Sequence, residues 1–210
     1  MIRKHWKLLV ITSIVTLLPM ALGLFLWNRL PEQLPIHWNA AGDVDGWSGK
    51  NFFVFGMPLI MTAVQWLCAF VTGADPKKAA QSEKVINLVL WLVPALTLFL
   101  LSATYAVAMG AAVRMEVFAN LLIGLLFTVI GNYLPKSKQN YTIGIKLPWT
   151  LNSEENWNRN HLMAGRLWVV CGFAIILTSF LGLFWLFMVV ALVMVLAPMI
   201  YSYILHRKGI

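Results

Sequence analysis

Charged residues are scarce in this sequence. Asp, Glu, Lys and Arg together make up 11% of its 210 residues, whereas hydrophobic residues make up 60% and the mean hydropathy is +0.76. Soluble domains carry about 25% charged residues. A chain of this length keeps a large surface after folding, so most of that surface must face lipid rather than water. The shortage of charge therefore excludes a soluble enzyme and a disordered chain.

Cysteine is nearly absent, and the common short catalytic motifs are missing. Cys68 and Cys171, the two cysteines, both lie inside apolar runs, so they indicate neither a disulfide framework nor a zinc site. No P-loop, GxSxG or HExxH motif occurs. We therefore expect a protein that is not an enzyme and that carries no cofactor.

Long apolar runs take the place of charge. A helix needs about 20 apolar residues to cross about 30 Å of hydrocarbon. A stretch without any charged residue, 167–205, is too long for one crossing, so we expect it to fold back near Thr178, Ser179 and Gly182. The sequence thus predicts an all-α membrane protein, a polytopic bundle of six transmembrane helices. The predicted spans are 8–27, 52–72, 85–108, 117–134, 167–181 and 184–204.

Basic residues are unevenly distributed between the segments that connect these spans. Of the 16 Lys and Arg residues, 13 lie in alternate segments on one side and 3 on the other. The positive-inside rule places the richer side, and with it both termini, in the cytoplasm. The net charge of +8 is then a topology signal, and we expect contact with a lipid bilayer and no direct nucleic-acid binding.

The same pattern predicts two parts. Residues 1–75 are expected to form an N-terminal two-helix unit with an ordered extracellular loop at 28–51. Residues 76–210 are expected to form a C-terminal four-helix unit with a basic cytoplasmic loop at 135–166. These two loops hold most of the polar side chains that could carry a function.

The outer loop contains the sequence LPIHWNAAGDVDGWSGK, from Leu34 to Lys50. Its prolines favour extended backbone, and its Asn and Gly residues favour turns. Three interpretations stay open: a structured cap with turns formed by Asn39, Asp43 and Asp45, a recognition surface for an extracellular ligand, or a metal site using His37, Asp43 and Asp45. The candidate ligand-binding residues are His37, Trp38, Asn39, Gly42, Asp43, Asp45, Gly46 and Lys50.

The cytoplasmic loop is longer and more basic. Residues 140–148 are expected to be extended or turn-like, and Asn152 with Glu155 resembles a capping box that begins a helix. The loop is interpreted as a basic interfacial anchor, as a docking surface for a cytoplasmic protein, or, least favoured, as a catalytic site of His161 with Glu154 or Glu155. The candidate partner-binding residues are Asn132, Lys138, Asn140, Tyr141, Gly144, Lys146, Pro148, Trp149, Thr150, Trp157 and His161.

No charged residue falls at the middle of a predicted span, where the strongly polar residues are Gln65, Asn87 and Asn120. Coupled transporters place ionisable groups at that depth, so this pattern disfavours ion coupling. A small-solute transporter or channel, a metal-dependent membrane enzyme and a structural accessory subunit remain alternatives.

Both loops resemble one known family. LPxxLPIHWNxxGxxDGWxxK resembles the N-terminal domain of the bacterial Sdp immunity proteins, and GNYLPKxKxNYxIGIxxPWTLxxxxxWxxxH resembles their C-terminal half. The order, the spacing and the overall length also agree. This chain departs from the pattern at Lys146–Leu147, where the family has Arg-Thr, and at Asn160, where it has Thr.

The resemblance implies a location in a bacterial cell membrane and a function in immunity and signal transduction. The founding member protects its bacterium against a membrane-active toxin peptide, and it also holds a soluble transcriptional repressor at the membrane when toxin is present. By this analogy the outer loop around His37–Lys50 is expected to contact an extracellular toxin peptide. The inner loop around Lys136–His161 is expected to contact a cytoplasmic repressor.

Overall fold

The computed structural model describes residues 2–39, 41–77, 81–182 and 184–210. Within these ranges, six helices are long and apolar enough to cross a membrane, which confirms the predicted all-α, six-span class. A short helix and a two-stranded hairpin accompany them. The elements are α1 (Ile2–Phe25), β1 (Gln33–Trp38), β2 (Val44–Gly49), a π-helical turn (Phe52–Gly56), α2 (Met57–Ala74), α3 (Glu83–Ala108), α4 (Met115–Tyr133), a 3-10 turn (Leu134–Lys136), α5 (Pro148–Asn152), α6 (Glu154–Thr178) and α7 (Phe184–Arg207).

The chain divides into two compact units. The first contains Met1–Gly73 and Ile86–Glu116, and the second contains Ala74–Val85 and Val117–Ile210. The expected division into a two-helix unit at 1–75 and a four-helix unit at 76–210 stays a prediction.

The first unit joins α1, α2 and most of α3 to the hairpin. Strands β1 and β2 pair antiparallel, with Gln33 opposite Gly49 and Trp38 opposite Val44. The sequence indicated an ordered segment here but not two paired strands. An apolar cluster lies beneath the hairpin, and Phe53 packs edge-to-face on Tyr105 within it, with ring centroids 5.2 Å apart. Its buried members are Leu30, Leu34, Phe53, Val54, Leu101 and Tyr105.

A polar ladder joins α1 to α2 inside the first unit. Gln65, one of the polar residues noted at mid-span, is buried; it donates to Oγ1 of Thr12 at 2.6 Å and accepts from Oγ1 of Thr16 at 2.8 Å. Beside it, the indole N–H of Trp66 donates to Oγ of Ser13 at 3.1 Å. Polar side chains that satisfy one another in this way join transmembrane helices, so Gln65 has a structural role.

In the second unit, α4 and α6 approach closely at two pairs of glycines. A Cβ on Gly172 would lie 2.6 Å from the carbonyl oxygen of Gly124, and a Cβ on Gly165 would lie 2.6 Å from that of Gly131. Only residues without a side chain permit this backbone approach. The buried residues of α6 and α7 that form the adjoining core are Cys171, Ile175 and Met194.

Helix α6 begins one residue later than the predicted capping box and much earlier than the predicted fifth span. Asn152 ends α5, and the cap of α6 is Ser153, whose Oγ accepts the backbone N–H of Asn156 at 3.1 Å. Ser153 has extended backbone angles, and its short hydroxyl reaches a free N–H of the first turn. The helix then runs without interruption to Thr178. The expected reversal around Thr178–Gly182 agrees with the end of α6 and the start of α7 at Phe184.

Candidate functional site

His37 and Asp45 form an exposed hydrogen-bonded pair across the hairpin. Nδ1 of His37 lies 2.5 Å from Oδ1 of Asp45, and the two side chains are 70% and 44% exposed. Gly46 lies opposite His37 and leaves room for it, because a Cβ at Gly46 would lie 2.8 Å from that of His37. The structure therefore brings these three candidate ligand-binding residues together at the surface.

Asn39 organises the turn between the two strands. Its Oδ1 accepts the backbone N–H of Ala41 at 2.9 Å and that of Asp43 at 3.0 Å, the pattern of an Asx turn. Gly42 has a φ of +88°, and a Cβ there would lie 2.5 Å from the Glu116 carboxylate. The Asp43 side chain faces the Asn39 amide at 3.4 Å. The turn is thus a structured cap built by Asn39.

The three residues considered as metal ligands do not form a cluster. His37 and Asp45 contact each other, whereas Asp43 contacts Asn39. Among the described residues, no group of three or more His, Cys, Asp or Glu side chains is positioned to hold a metal ion.

Lys50 anchors the base of the hairpin. Its side chain is only 11% exposed, and its ammonium lies 2.8 Å from the Glu32 carboxylate. The same ammonium lies 4.9 Å from the centroid of the Trp27 ring. Lys50 is thus largely enclosed, whereas His37, Asp43 and Asp45 are accessible at the surface of the hairpin.

Asn140 organises the 137–147 loop, the segment between the 3-10 turn after α4 and the start of α5. Its Oδ1 accepts the backbone N–H groups of Thr142 and Ile143 at 2.8 and 2.6 Å. Its Nδ2 donates to the carbonyl oxygens of Lys138 and Ile143 at 2.7 and 2.8 Å. A fully buried amide with both ends satisfied fixes the backbone of the loop. Asn140 therefore holds the loop together and is not accessible to a partner.

Asp75 also holds this loop, and the sequence analysis missed it. One carboxylate oxygen accepts the backbone N–H of Lys77 at 2.7 Å; the other accepts the backbone N–H of Tyr141 at 2.8 Å and the hydroxyl of Thr142 at 3.0 Å. Burial raises the pKa of the Asp75 carboxyl, but these hydrogen bonds outweigh burial and hold the pKa below its usual 3.8. The position just after an apolar run was the only available signal.

Trp157 and His161 lie under the loop as a buried stack. Their ring centroids are 4.0 Å apart, and both side chains are almost completely buried. The Trp157 indole donates to the carbonyl oxygen of Ser137 at 2.8 Å. Trp157 is therefore part of a protein core and is not exposed at the surface of the loop.

His161 is fully occupied by backbone groups. Its Nε2 accepts the N–H of Ile145 at 3.0 Å, which leaves Nδ1 as the protonated nitrogen facing the carbonyl oxygen of Trp157 at 2.8 Å. Glu155 contacts Arg159 at 2.6 Å. Two of the residues considered for catalysis, His161 and Glu155, therefore have structural partners.

Thr150 fixes the end of the 137–147 loop by contacts with its backbone. Its Oγ1 accepts the backbone N–H of Leu147 at 2.8 Å and lies 3.0 Å from the carbonyl oxygen of Ile145.

Asn160, a departure from the family pattern, is also fully buried, and neither polar atom of its side chain has a partner among the described residues.

Burial divides the candidate partner-binding residues into two sets. Asn140, Thr150, Trp157 and His161 are buried, and Gly144 and Trp149 are partly buried. The remainder present their side chains at the surface of the second unit. These exposed residues are Asn132, Lys138, Tyr141, Lys146 and Pro148.

An aromatic groove lies beside this exposed set. Trp149 stacks on His206 with ring centroids 6.0 Å apart and meets Tyr203 at 5.5 Å. The indole nitrogen of Trp149 is buried and has no acceptor among the described residues. The groove has a volume of about 660 Å³ and is lined by Pro148, Trp149, Asn152, Ser153, His206 and Gly209, with Ile210.

Comparison with known proteins gives matches to both halves of the chain. The model of the SdpI/YfhL protein family matches residues 136–202, and that of a domain of unknown function, DUF1648, matches residues 14–62. The chain is 27% identical over 172 residues to the immunity protein SdpI of Bacillus subtilis (strain 168), and this match covers 81% of each protein. No solved structure matches the chain.

Proposed function

Because the chain belongs to the SdpI-like family of multi-pass membrane proteins, we propose that it protects a bacterium against a membrane-active toxin peptide and signals the presence of that peptide. The observation that carries the proposal is the match to an immunity protein over 81% of both chains. The two family models support it, because their matches at residues 14–62 and 136–202 cover the two polar loops. The proposed mechanism is binding, without a catalytic step.

We propose that both termini and the 137–147 loop lie in the cytoplasm and that the hairpin lies outside. The support is the concentration of 13 of the 16 basic residues in alternate segments outside the apolar spans predicted from the sequence. Lys78, one of the residues in this count, lies outside the described residues. With this orientation the two polar surfaces face different compartments, as a receptor for an outside signal requires.

The hairpin is the proposed recognition surface for the peptide. His37 and Asp45 supply accessible hydrogen-bonding side chains, and Trp47 beside them is 55% exposed. The turn and Lys50 hold these groups on a rigid frame, which reduces the conformational entropy that binding must overcome.

The proposed surface for a soluble transcriptional repressor consists of the exposed residues of the 137–147 loop and the adjoining aromatic groove. Lys138 and Lys146 are exposed there, and Trp149 supplies the aromatic anchor that interfaces commonly use. A peptide changes the affinity of this surface only if it binds two conformations of the protein with different affinities. The proposal therefore requires that the second unit respond when the hairpin is occupied.

Survival of a toxin-sensitive strain tests the proposal. Cells that express the chain should survive a dose that kills cells with an empty vector, and Asp43→Ala with Asp45→Ala should reduce this protection. Glu154→Ala is the matched control, because it removes an exposed carboxylate from the second unit. The proposal is contradicted if cells that express the wild-type chain are killed as readily as cells with the empty vector, although the chain is shown to be inserted in the membrane.

A second variant separates the two activities. Trp149→Ala removes the groove's anchor and leaves the hairpin intact. We expect normal protection and a loss of toxin-dependent recruitment of the repressor, measured as the share of repressor in the membrane fraction. A loss of protection in Trp149→Ala would show that the surfaces are not separate.

A further inference from the structure

The first unit contains an apolar cavity of about 140 Å³ between the hairpin and the helices α2 and α3. Strand β1 forms one wall, and the N-terminal part of α2 and the C-terminal half of α3 form two others. Phe53 in the π-helical turn and Met115 at the start of α4 complete the lining. Residues from each wall include Ile36, Trp38, Met57, Met61, Thr97 and Thr104.

The lining of the cavity favours an apolar occupant. No charged residue lines it, and its two hydroxyls are already used within α3: Thr97 donates to the carbonyl oxygen of Val93 at 2.8 Å, and Thr104 to that of Leu100 at 3.1 Å. A water molecule needs two to four polar partners, and an apolar cavity of about 150 Å³ in another protein stays dry and binds benzene. The volume therefore suits one aromatic ring or one branched aliphatic group.

The position of the cavity favours a peptide side chain as this group. Ile36 and Trp38 line the cavity, and His37 between them is paired with Asp45 at the surface. Polar groups for a peptide backbone thus adjoin a space for a single side chain, a combination that a lipid tail does not use. Met57 and Met61 supply flexible walls, which adapt to the shape of an occupant.

We propose that this cavity receives one aromatic or branched aliphatic side chain of the extracellular peptide, while His37 and Asp45 contact the polar part of the same peptide. This inference rests on the proposed function and adds to it the chemical class of the group that is recognised. According to this proposal, the protein recognises the peptide by one apolar side chain as well as by its polar groups.

Benzene tests whether the cavity accepts such a group. The variants Thr104→Leu and Thr97→Leu place apolar atoms in the cavity and leave no unpaired partner, because each hydroxyl bonds only to its own helix. Thr62→Leu is the matched control: its hydroxyl bonds to the carbonyl oxygen of Pro58, and it does not line the cavity. The measurement is the thermal unfolding midpoint in nanodiscs with and without benzene.

We expect benzene to raise the midpoint of the wild type and of Thr62→Leu relative to both filled variants. An equal response of all four proteins overturns the proposal, because it would show that benzene acts through the lipid. If one filled variant does not insert, the comparison of the wild type with the other filled variant decides.

Survival under toxin then tests the occupant. Cells that express either filled variant, Thr97→Leu or Thr104→Leu, should survive at least tenfold less often than cells with the wild type. Cells that express Thr62→Leu should survive as often as cells with the wild type. If the filled variants protect as the wild type does, the cavity is not the peptide's pocket, although the proposed function stands. If the wild type does not protect, both the proposed function and this occupant are rejected.

Discussion

Gly144 allows the 137–147 loop to lie directly on the Trp157–His161 stack. Its φ is +118°, and a Cβ there would lie 2.5 Å from Nε2 of His161 and 3.0 Å from the Trp157 ring. The residue is thus required both by the backbone conformation and by the contact. The family motif marked Gly144 as a candidate for partner binding, whereas its contacts indicate that it supports the loop.

Replacement of Gly144 by Ala should destabilise the protein by about 1–3 kcal/mol, because it combines backbone strain with a steric clash. Gly110→Ala is the control: Gly110 also has a positive φ, +88°, but no atom lies within 4 Å of its Cβ position. We expect a clearly larger fall of the thermal unfolding midpoint for Gly144→Ala. Equal falls would show that strain alone accounts for the effect.

Asp75 should make the stability of the protein dependent on acid pH. The pKa of its carboxyl is lowered in the folded protein, so its contribution is present above the usual value of 3.8 and is lost as pH falls through the lowered pKa. Asp75→Asn should therefore unfold at a lower temperature than the wild type at pH 7, and the difference should diminish below about pH 4.

Asp43→Asn provides the comparison, because Asp43 is exposed and makes only a long contact with Asn39. It should change the unfolding midpoint little at either pH. A difference between Asp75→Asn and the wild type that persists undiminished at low pH would contradict the assigned role of the carboxylate.

Residue roles were the least predictable part of the structure. Asp75 bonds to Tyr141, which lies 66 positions away in the sequence, and no local pattern indicates such a contact. In contrast, Asn39 was predicted to form a turn, because an Asx turn involves only residues two to four positions away.

At the scale of secondary-structure elements, the glycines of α4 and α6 determine how closely these helices approach. Gly124 and Gly131 are seven residues apart, as are Gly165 and Gly172, so each pair lies on one side of its helix. This spacing was visible in the sequence, but the partner helix was not. The start of α6 was harder to predict, because both Asn152 and Ser153 are good helix caps and only packing selects one.

Gly172→Ala should weaken the contact between α4 and α6. A Cβ at this position would lie 2.6 Å from a backbone carbonyl, which cannot move without displacing the helix. We expect a loss of about 1–3 kcal/mol in stability, despite the higher helix propensity of alanine. Val170→Ala, at a position of α6 that is 66% exposed, should be nearly neutral. A Gly172→Ala protein as stable as the wild type would refute the close approach.

At the scale of the whole molecule, the positions and lengths of the apolar runs were sufficient to predict the number of spans. The thickness of the bilayer sets the length of one crossing, which also divides the run 167–205 into two spans. The six predicted spans correspond to six long helices in the described ranges. The hairpin was not predicted, since its Pro and Gly residues are typical of loops and its strands are stabilised by tertiary contacts.

Cysteine labelling tests the proposed orientation. In a chain with Cys68 and Cys171 replaced by Ala, Asp43→Cys should react with a membrane-impermeant maleimide in intact cells. Lys138→Cys should react only after the cells are permeabilised. The reverse pattern would contradict the topology inferred from the basic residues.

The most direct test of the central claim, that the chain is an immunity protein that recognises a peptide through its hairpin, is survival across a range of toxin doses. The comparison is between cells expressing the wild type, the Asp45→Ala variant or no protein. The account predicts that the wild type shifts the killing dose upwards by at least tenfold and that Asp45→Ala loses most of this shift. Identical killing curves for the wild type and the empty vector, with equal protein in the membrane, would contradict it.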